Sequence, residues 1–497
     1  MDFLHMLLTK SGLSKSKLIS HLQCEKKLWL STYKSGQAKH DQSALTRMER
    51  GNILGAVARS IFPGGSLVDT EDPSSAVTKT NSLLKTNSGP IYEAAFTYDG
   101  IQVFIDILVP EEDGYHLIEI KSATKVSTQH IIDTAIQVWV AERTGAKINR
   151  ASVGFINNKF VYPGEKKYDG LFKLKDISND ISTYSPIIED WVRSARDTLS
   201  NSDPLIPIGK QCKNPFECEF QDYCKSLVPN LPKYPLSDLK LKKLDLKKLE
   251  DKGYTNLLEV PIELVEDPKK ARLHRSILSG ENYVSENAKT EIDAIPYPRY
   301  YLDFETIAHG LPEWPGTHPY QQIPFQWSCH IEYSDGHVEH QEFLAEPTQD
   351  PRKDCMTSLV RLFRGFKDGS MIAYNADFEK RILQDLAKLY PETQLLFNSI
   401  CNQTYDLLPI CRNNFYNRDM HGSWSIKYVL PAIAPDLNYQ ELDITNGQMA
   451  QEAYIKMNIG SPNSKEVVKL RSNLLKYCKL DTEAMIRIVM YFCKRPL

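Results

Sequence analysis

The run RYYLDFET at residues 299–306 is rich in β-forming residues and carries two acids two positions apart. In a strand, residues i and i+2 point to the same face. Asp303 and Glu305 therefore project together, and Phe304 faces the other way. Two carboxylates on one face, just downstream of apolar residues, are costly unless cations neutralise them. Taken alone, the pattern also fits the solvated end of a strand.

Two further segments bear on that choice. MIAYNADFEKRIL (371–383) predicts a buried strand turning into a helix with acids at its start. KYCKLDTEAMIRIVMYF (476–492) predicts an amphipathic helix in which Tyr477 and Asp481, four apart, share a face. A surface acid beside a half-buried tyrosine is the alternative for that pair. Together, DFE at 303–305, YNADFE at 374–379 and YCKLD at 477–481 resemble the three motifs of DEDD exonucleases, in order, across residues 298–490. The resemblance implies an RNase H-like fold and a two-metal phosphodiesterase. It puts Asp303 between two Mg²⁺ or Mn²⁺ ions, with Glu305 and Asp481 in the shell of the first. It puts Glu379 at the second ion and Tyr477 beside the attacking water. The second motif usually ends in Asp; here Glu379 takes that position and Asp377 is the alternative. Two ions about 4 Å apart supply the nucleophile and the charge neutralisation that phosphodiester cleavage requires. Asp406, in TYDLLPI, and Lys427, in GSWSIKYVL, read as a cap and a surface charge.

The N-terminal half carries a different pattern. In VFIDILVPEEDGYHLIEIKSAT (103–124), Asp106 interrupts an apolar strand, and Glu119-Ile120-Lys121 lies on the next one. Period-2 alternation puts Glu119 and Lys121 on one face. A plain hairpin ending in a salt bridge is one reading. An acid followed at hairpin distance by acid-x-Lys also resembles the PD-(D/E)XK nucleases. That resemblance implies that Asp106 and Glu119 bind a divalent metal and that Lys121 orients or activates water. The helix HIIDTAIQVWVAERTG puts Asp133 and Gln137 four apart on one face. RecB-type members of that group carry a Gln here, usually with a Tyr four residues on, where this chain has Ala141. They often add a His from an earlier helix; RGNILGAVARSIF has none, and Glu93 in IYEAAF is the candidate substitute acid.

Four of the ten cysteines fall in the first 225 residues. Cys212, Cys218 and Cys224 follow a C-x5-C-x5-C spacing. Three thiolates cannot close a tetrahedral site, so a fourth ligand is required. Cys24 is the only other cysteine in that half. Its segment, LSKSKLISHLQCEKKLWL, resembles the start of iron–sulfur RecB-type nucleases, in which one early and three late cysteines hold a [4Fe-4S] cluster. Zinc and free core cysteines are the alternatives.

Pro-punctuated stretches, VPNLPKYPLSD and DAIPYPRYY, mark boundaries. They divide the chain into an N-terminal domain over 1–230, a helical linker over 231–292 and a C-terminal domain over 293–497. In the linker, Leu236, Leu239, Leu246 and Leu249 suggest an apolar stripe among seven lysines at 233–252. Those lysines read as a solvated face, or as contacts to phosphate backbones. The coarse pattern predicts helices over 14–33, 43–61 and 128–144 and strands over 91–97, 102–109, 115–121 and 150–156. In the last block it predicts a strand over 299–305, a hairpin over 324–333 and 338–344, and a strand over 370–374. Helices near 352–366, 377–389 and 470–492 complete an α/β arrangement.

A net charge of −3 excludes general electrostatic attraction as the basis of nucleic-acid binding. No run of 18 apolar residues appears, so no membrane helix is expected. The opening MDFLHMLLTKSGLSKSKL lacks a basic leader and a small-residue cleavage site, so the cytoplasm is the expected compartment. The combined order resembles a bacterial family that pairs these two nuclease modules in one chain. It implies a metal-dependent nuclease that trims 3′ ends of nucleic acid, DNA in preference to RNA, in repair or defence. The rival expectation is a nucleic-acid-binding scaffold whose nuclease folds are partly inactive.

Overall fold

Residues 13–39, 42–70, 72–86, 88–461 and 464–495 are described in a computed structural model. The opening apolar run at 1–12 lies outside the described residues. Contacts divide the chain into two units, Met1–Pro229 with His309–Gln321, and Asn230–Ala308 with Gln322–Leu497.

In the first unit, the alternating runs form a six-stranded sheet whose spatial order follows the sequence: β1 (Ser66–Leu67), β2 (Ile91–Tyr98), β3 (Ile101–Glu111), β4 (Gly114–Lys121), β5 (Ile148–Ile156) and β6 (Phe172–Asp176). The β1–β2 and β4–β5 pairs are parallel and the others antiparallel. A parallel pair requires a crossover, and the helix Thr128–Arg143 provides it between β4 and β5. Ser127 caps that helix by accepting from the His130 N–H. Ala135, Ile136, Val138 and Val140 join Val103, Ile105, Leu117 and Val153 in the core.

The pattern predicts one helix over 14–33, and the structure corrects this to two, Lys15–Gln23 and Glu25–Tyr33. They break at Cys24, whose backbone is extended at φ −166° and ψ 121°. In one straight helix Leu30 would lie about 120° around the axis from Leu18. The break lets Leu18, Leu28 and Leu30 all be fully buried.

The second unit is built on β8 (Arg299–Ile307), β9 (Ile323–Glu332), β10 (Val338–Leu344), β11 (Ser370–Ala373) and β12 (Thr404–Asp406), in the spatial order β10-β9-β8-β11-β12. Central β8 runs antiparallel to β9 and parallel to β11, and β12 is parallel to β11. On one face, Tyr300, Leu302 and Phe304 of β8 enter a core with Trp327, Leu359, Ile382 and Phe397. The helix Lys465–Phe492 packs on β8 and β9, and the buried Gln326 side chain donates to its Leu474 carbonyl at 2.8 Å.

Residues 231–292, expected as a separate helical linker, belong to this second unit. The stretch 233–252 is not one amphipathic helix. A short 3₁₀ turn at Leu236–Leu239 ends at Lys240, which is left-handed at φ 48°, and a helix follows at Lys243–Asp251. Burial of Leu236, Leu239, Leu249, Leu257 and Ile277 explains why the stretch folds in rather than standing free. β7 (Tyr283–Val284) pairs antiparallel with β13 (Phe415–Tyr416). Among the described residues, no helix is long and apolar enough to cross a membrane.

Candidate metal centre

Alternation along β8 sends Phe304 into the core and leaves Asp303 and Glu305 on the opposite face. Asp481 comes from the middle of the helix Lys465–Phe492. One carboxylate oxygen from each of the three lies within 4.8 Å of the others. Glu305 and Asp481 are buried and Asp303 is half-buried. Burial pushes Asp303 well above the usual carboxylate range, and the charges of Asp481, Glu305 and Glu379 push it further. Burial likewise raises Glu305, and Asp481 is pushed up to about 6. Three acids this close in a poorly solvated site must either hold protons or share a cation.

Glu379 sits in the first turn of the helix Asp377–Leu389 and lines the same open cleft. It is only 3% exposed, and burial pushes its carboxyl up to about 8. Its Oε2 has no hydrogen-bond partner. Such orphaned acceptors are rare, and each calls for an explanation, such as an ion or a water. Asp377, the alternative acid in that motif, is exposed. At the cleft wall, Asn375 is left-handed at φ 71°, a conformation that costs energy for a non-glycine residue.

Tyr477 lies one helical turn before Asp481, and its phenol favours the charged form of that carboxyl. Two neighbours escaped the sequence reading. The Tyr439 hydroxyl donates to Asp481 Oδ1 at 2.6 Å. Lys427 Nζ donates to the Tyr477 hydroxyl at 3.1 Å and to the Thr445 carbonyl at 2.6 Å. Lys427 was expected as a surface charge; it is half-buried and lines the cleft. Its position in an apolar helix with Pro431 gave a faint signal, whereas Tyr439 sits in a 3₁₀ turn with no periodicity to mark it. Asp406 is a cap, as read: its Oδ1 accepts from the Leu408 and Asn375 N–H groups, each at 2.9 Å.

In the first unit, Asp106 on β3 and Glu119 on β4 line a cleft of about 980 Å³ together with Glu93. Asp106 Oδ2 accepts from the Ile120 N–H at 2.7 Å, and burial and the Glu119 charge push its carboxyl well up. Glu119 differs. Burial works against its charge, but Lys15 and Lys121 hold it well below the usual range. Lys121 donates to it at 2.6 Å, Lys15 at 3.4 Å and the Gln137 amide at 2.8 Å. Both lysines also pair with Asp133. Lys15, in the first turn of its helix, was not singled out from sequence. Glu93 is left-handed at φ 55° and pairs with Arg59 at 3.1 Å.

Cys24, Cys212, Cys218 and Cys224 line one cavity of about 350 Å³. Cys24 occupies the break between two helices, and Cys224 lies in the short helix Gln221–Ser226. Burial pushes the Cys218 thiol up to about 11. Lys26 and Lys27 also line this cavity and pair with Asp203 at 2.8 Å and Glu219 at 3.2 Å. Among the described residues, no three of the thiols come within 4.8 Å of one another.

Residues 300–425 match the family described as Domain of unknown function (DUF2779). That span holds Asp303, Glu305 and Glu379 and stops before Lys427, Tyr477 and Asp481. The chain is similar to Uncharacterized protein MG366 of Mycoplasma genitalium, 27% identical over 210 residues, covering 39% of this chain and 32% of that protein. It is also similar to Uncharacterized protein UU173 of Ureaplasma parvum, 25% identical over 217 residues, covering 40% of this chain and 31% of that protein. The matched region thus spans about a third of the length of these relatives. No solved structure matches the chain.

Proposed function

We propose that the second unit is an RNase H-like, metal-dependent exonuclease that hydrolyses phosphodiester bonds at the 3′ end of nucleic acid. The observation that carries this reading is the convergence of Asp303, Glu305 and Asp481, joined across the cleft by the unpartnered oxygen of Glu379. Oxygen-only ligands of this kind suit Mg²⁺ or Mn²⁺. Bound divalent ions would lower the pKa of a water nucleophile and neutralise charge on the attacked and leaving oxygens. Asp303, Glu305 and Asp481 would hold them, with Glu379 as the fourth acid. Tyr439 fixes the Asp481 carboxylate by a hydrogen bond. Tyr477 presents its hydroxyl to the cleft, where it would position the attacking water.

We read the first unit as a PD-(D/E)XK-type domain stapled by a [4Fe-4S] cluster on Cys24, Cys212, Cys218 and Cys224. Tetrahedral zinc, with Zn–S bonds near 2.3 Å, holds its sulfurs about 3.8 Å apart. The four cysteines here line one cavity without any three of their sulfurs, among the described residues, closing to within 4.8 Å of one another, which favours the larger cluster with its four cysteine ligands. One observation favours an inactive site at Asp106, Glu119 and Lys121. Glu119 is already satisfied by Lys15, Lys121 and Gln137, so it lacks the unmet charge of the other cleft.

The test is degradation of end-labelled single- and double-stranded DNA and RNA with Mg²⁺ or Mn²⁺, for wild type, Asp303→Ala and Lys121→Ala. Wild type is expected to shorten DNA from its 3′ end and Asp303→Ala to leave it intact. Full activity in Asp303→Ala would sink the assignment, and no degradation by any protein would favour a binding scaffold.

A further inference from the structure

Among the described residues that line the acidic cleft, Lys427 is the sole lysine or arginine. Its ammonium is fixed from two sides, by the Thr445 carbonyl at 2.6 Å and the Tyr477 hydroxyl at 3.1 Å. It also lies over two rings, 5.4 Å from the Tyr439 centroid and 5.2 Å from that of Tyr477. The Tyr439 hydroxyl donates to Asp481 at 2.6 Å, and its ring packs edge-on against that of Tyr477. The lysine, two phenols and the acid are therefore one connected network. Burial pushes the Lys427 pKa down, while Asp481, Glu305 and Asp303 act in the opposite direction. All three acids of the cluster thus feel its charge.

We propose that Lys427 is a positioning residue of the cleft. It holds the Tyr477 phenol in place, and its ammonium is a counter-charge that weakens divalent-cation binding in exchange for a correctly aimed tyrosine. The inference rests on the metal-centre reading above. The Tyr477 hydroxyl accepts from Lys427, whose ammonium the Thr445 carbonyl anchors in turn, and that chain of contacts holds the phenol in place. A fixed positive charge beside three carboxylates repels an incoming cation but leaves the acids less mutually repulsive in its absence.

Two measurements on the full chain test this. Mn²⁺ binding by calorimetry reads the counter-charge, and steady-state cleavage of a single-stranded oligonucleotide reads the positioning. Lys427→Met is expected to bind Mn²⁺ about tenfold more tightly, while kcat falls at least about tenfold with KM near wild type. Lys427→Arg keeps the charge and is expected to bind Mn²⁺ as wild type does. A merely structural lysine would weaken both properties together. If Lys427→Met, folded with a near-native melting temperature, binds Mn²⁺ no more tightly than wild type, the counter-charge role is overturned. Unchanged kcat in that variant overturns the positioning role. A wild type that binds no Mn²⁺ overturns the metal-centre reading, and this inference with it. Binding in wild type without tightening in Lys427→Met overturns the counter-charge role and leaves the metal-centre reading standing.

Discussion

Glu379 keeps one carboxylate oxygen without a partner inside a packed wall. Its carboxyl is displaced by burial from 4.5 to about 8. Below pH 4.5 the folded and unfolded chains both hold the proton, and the displacement costs nothing. Between pH 4.5 and 8 the unfolded chain releases a proton that the native state keeps, so stability falls as pH rises. Glu379→Gln removes that penalty. The metal-free variant is expected to be more stable than wild type by about 1–3 kcal/mol at pH 8 and equal to it at pH 4. Urea unfolding at the two pH values measures this. Lys15 makes the opposite case. It is 22% exposed at its side chain and offsets both Glu119 and Asp133. Lys15→Met is expected to destabilise the first unit by about 1–3 kcal/mol, read by denaturant midpoint, because it strips a partner from a largely buried ion network. Neither Lys15 nor Lys427 was legible from local pattern. Each reaches its acid from an element distant in sequence, and a lone lysine carries no periodicity. Asp303 and Glu305 were legible because strand geometry ties them to each other and to Phe304.

At the scale of elements, the eight longer or buried strands of the two sheets were readable from their apolar runs, whereas β1, β6 and β12, which are short or exposed, were not. β8 spans Arg299–Ile307 where 299–305 was expected, and β4 spans Gly114–Lys121 where 115–121 was expected. The helices Ile426–Ile433 and Gly447–Ile459 were not readable. Pro431 lies inside one, and the other begins at Asn446 and Gly447, residues that read as breakers. The expected helix over 14–33 hid a corner, since helical propensity alone does not reveal that Leu18 and Leu30 must be buried together. That corner is Cys24. If it anchors a cluster, anaerobically purified wild type is expected to carry about four iron atoms per chain. Cys24→Ser should lose most of them, and the two helices that meet there should lose their anchor. Iron analysis and far-UV circular dichroism check both outcomes. Iron-free wild type prepared without oxygen would exclude the cluster.

Across the whole molecule, the two clefts differ in electrostatic state. In the first, Lys15 and Lys121 neutralise Glu119 while burial raises Asp106; in the second, burial raises every acid of the cluster. Raised carboxyls make the metal-free second unit less stable as pH climbs through the window from the usual acid range to above 6, the value for Asp481. Mn²⁺ is therefore expected to raise the melting temperature by several degrees at pH 8, and by little at pH 5, where protons already occupy the site. Asp303→Asn should abolish the Mn²⁺-induced shift. A shift of equal size at both pH values would contradict the assignment of these acids as the cation's ligands. The cluster also draws its members from widely separated stretches of chain: β8 supplies Asp303 and Glu305, and the helix Lys465–Phe492 supplies Asp481. About 180 residues must be synthesised between the first acid and the last, which at ribosomal speed takes on the order of 10–35 s. Throughout that interval the nascent polypeptide lacks Asp481, so the acid cluster cannot close until translation has passed residue 481.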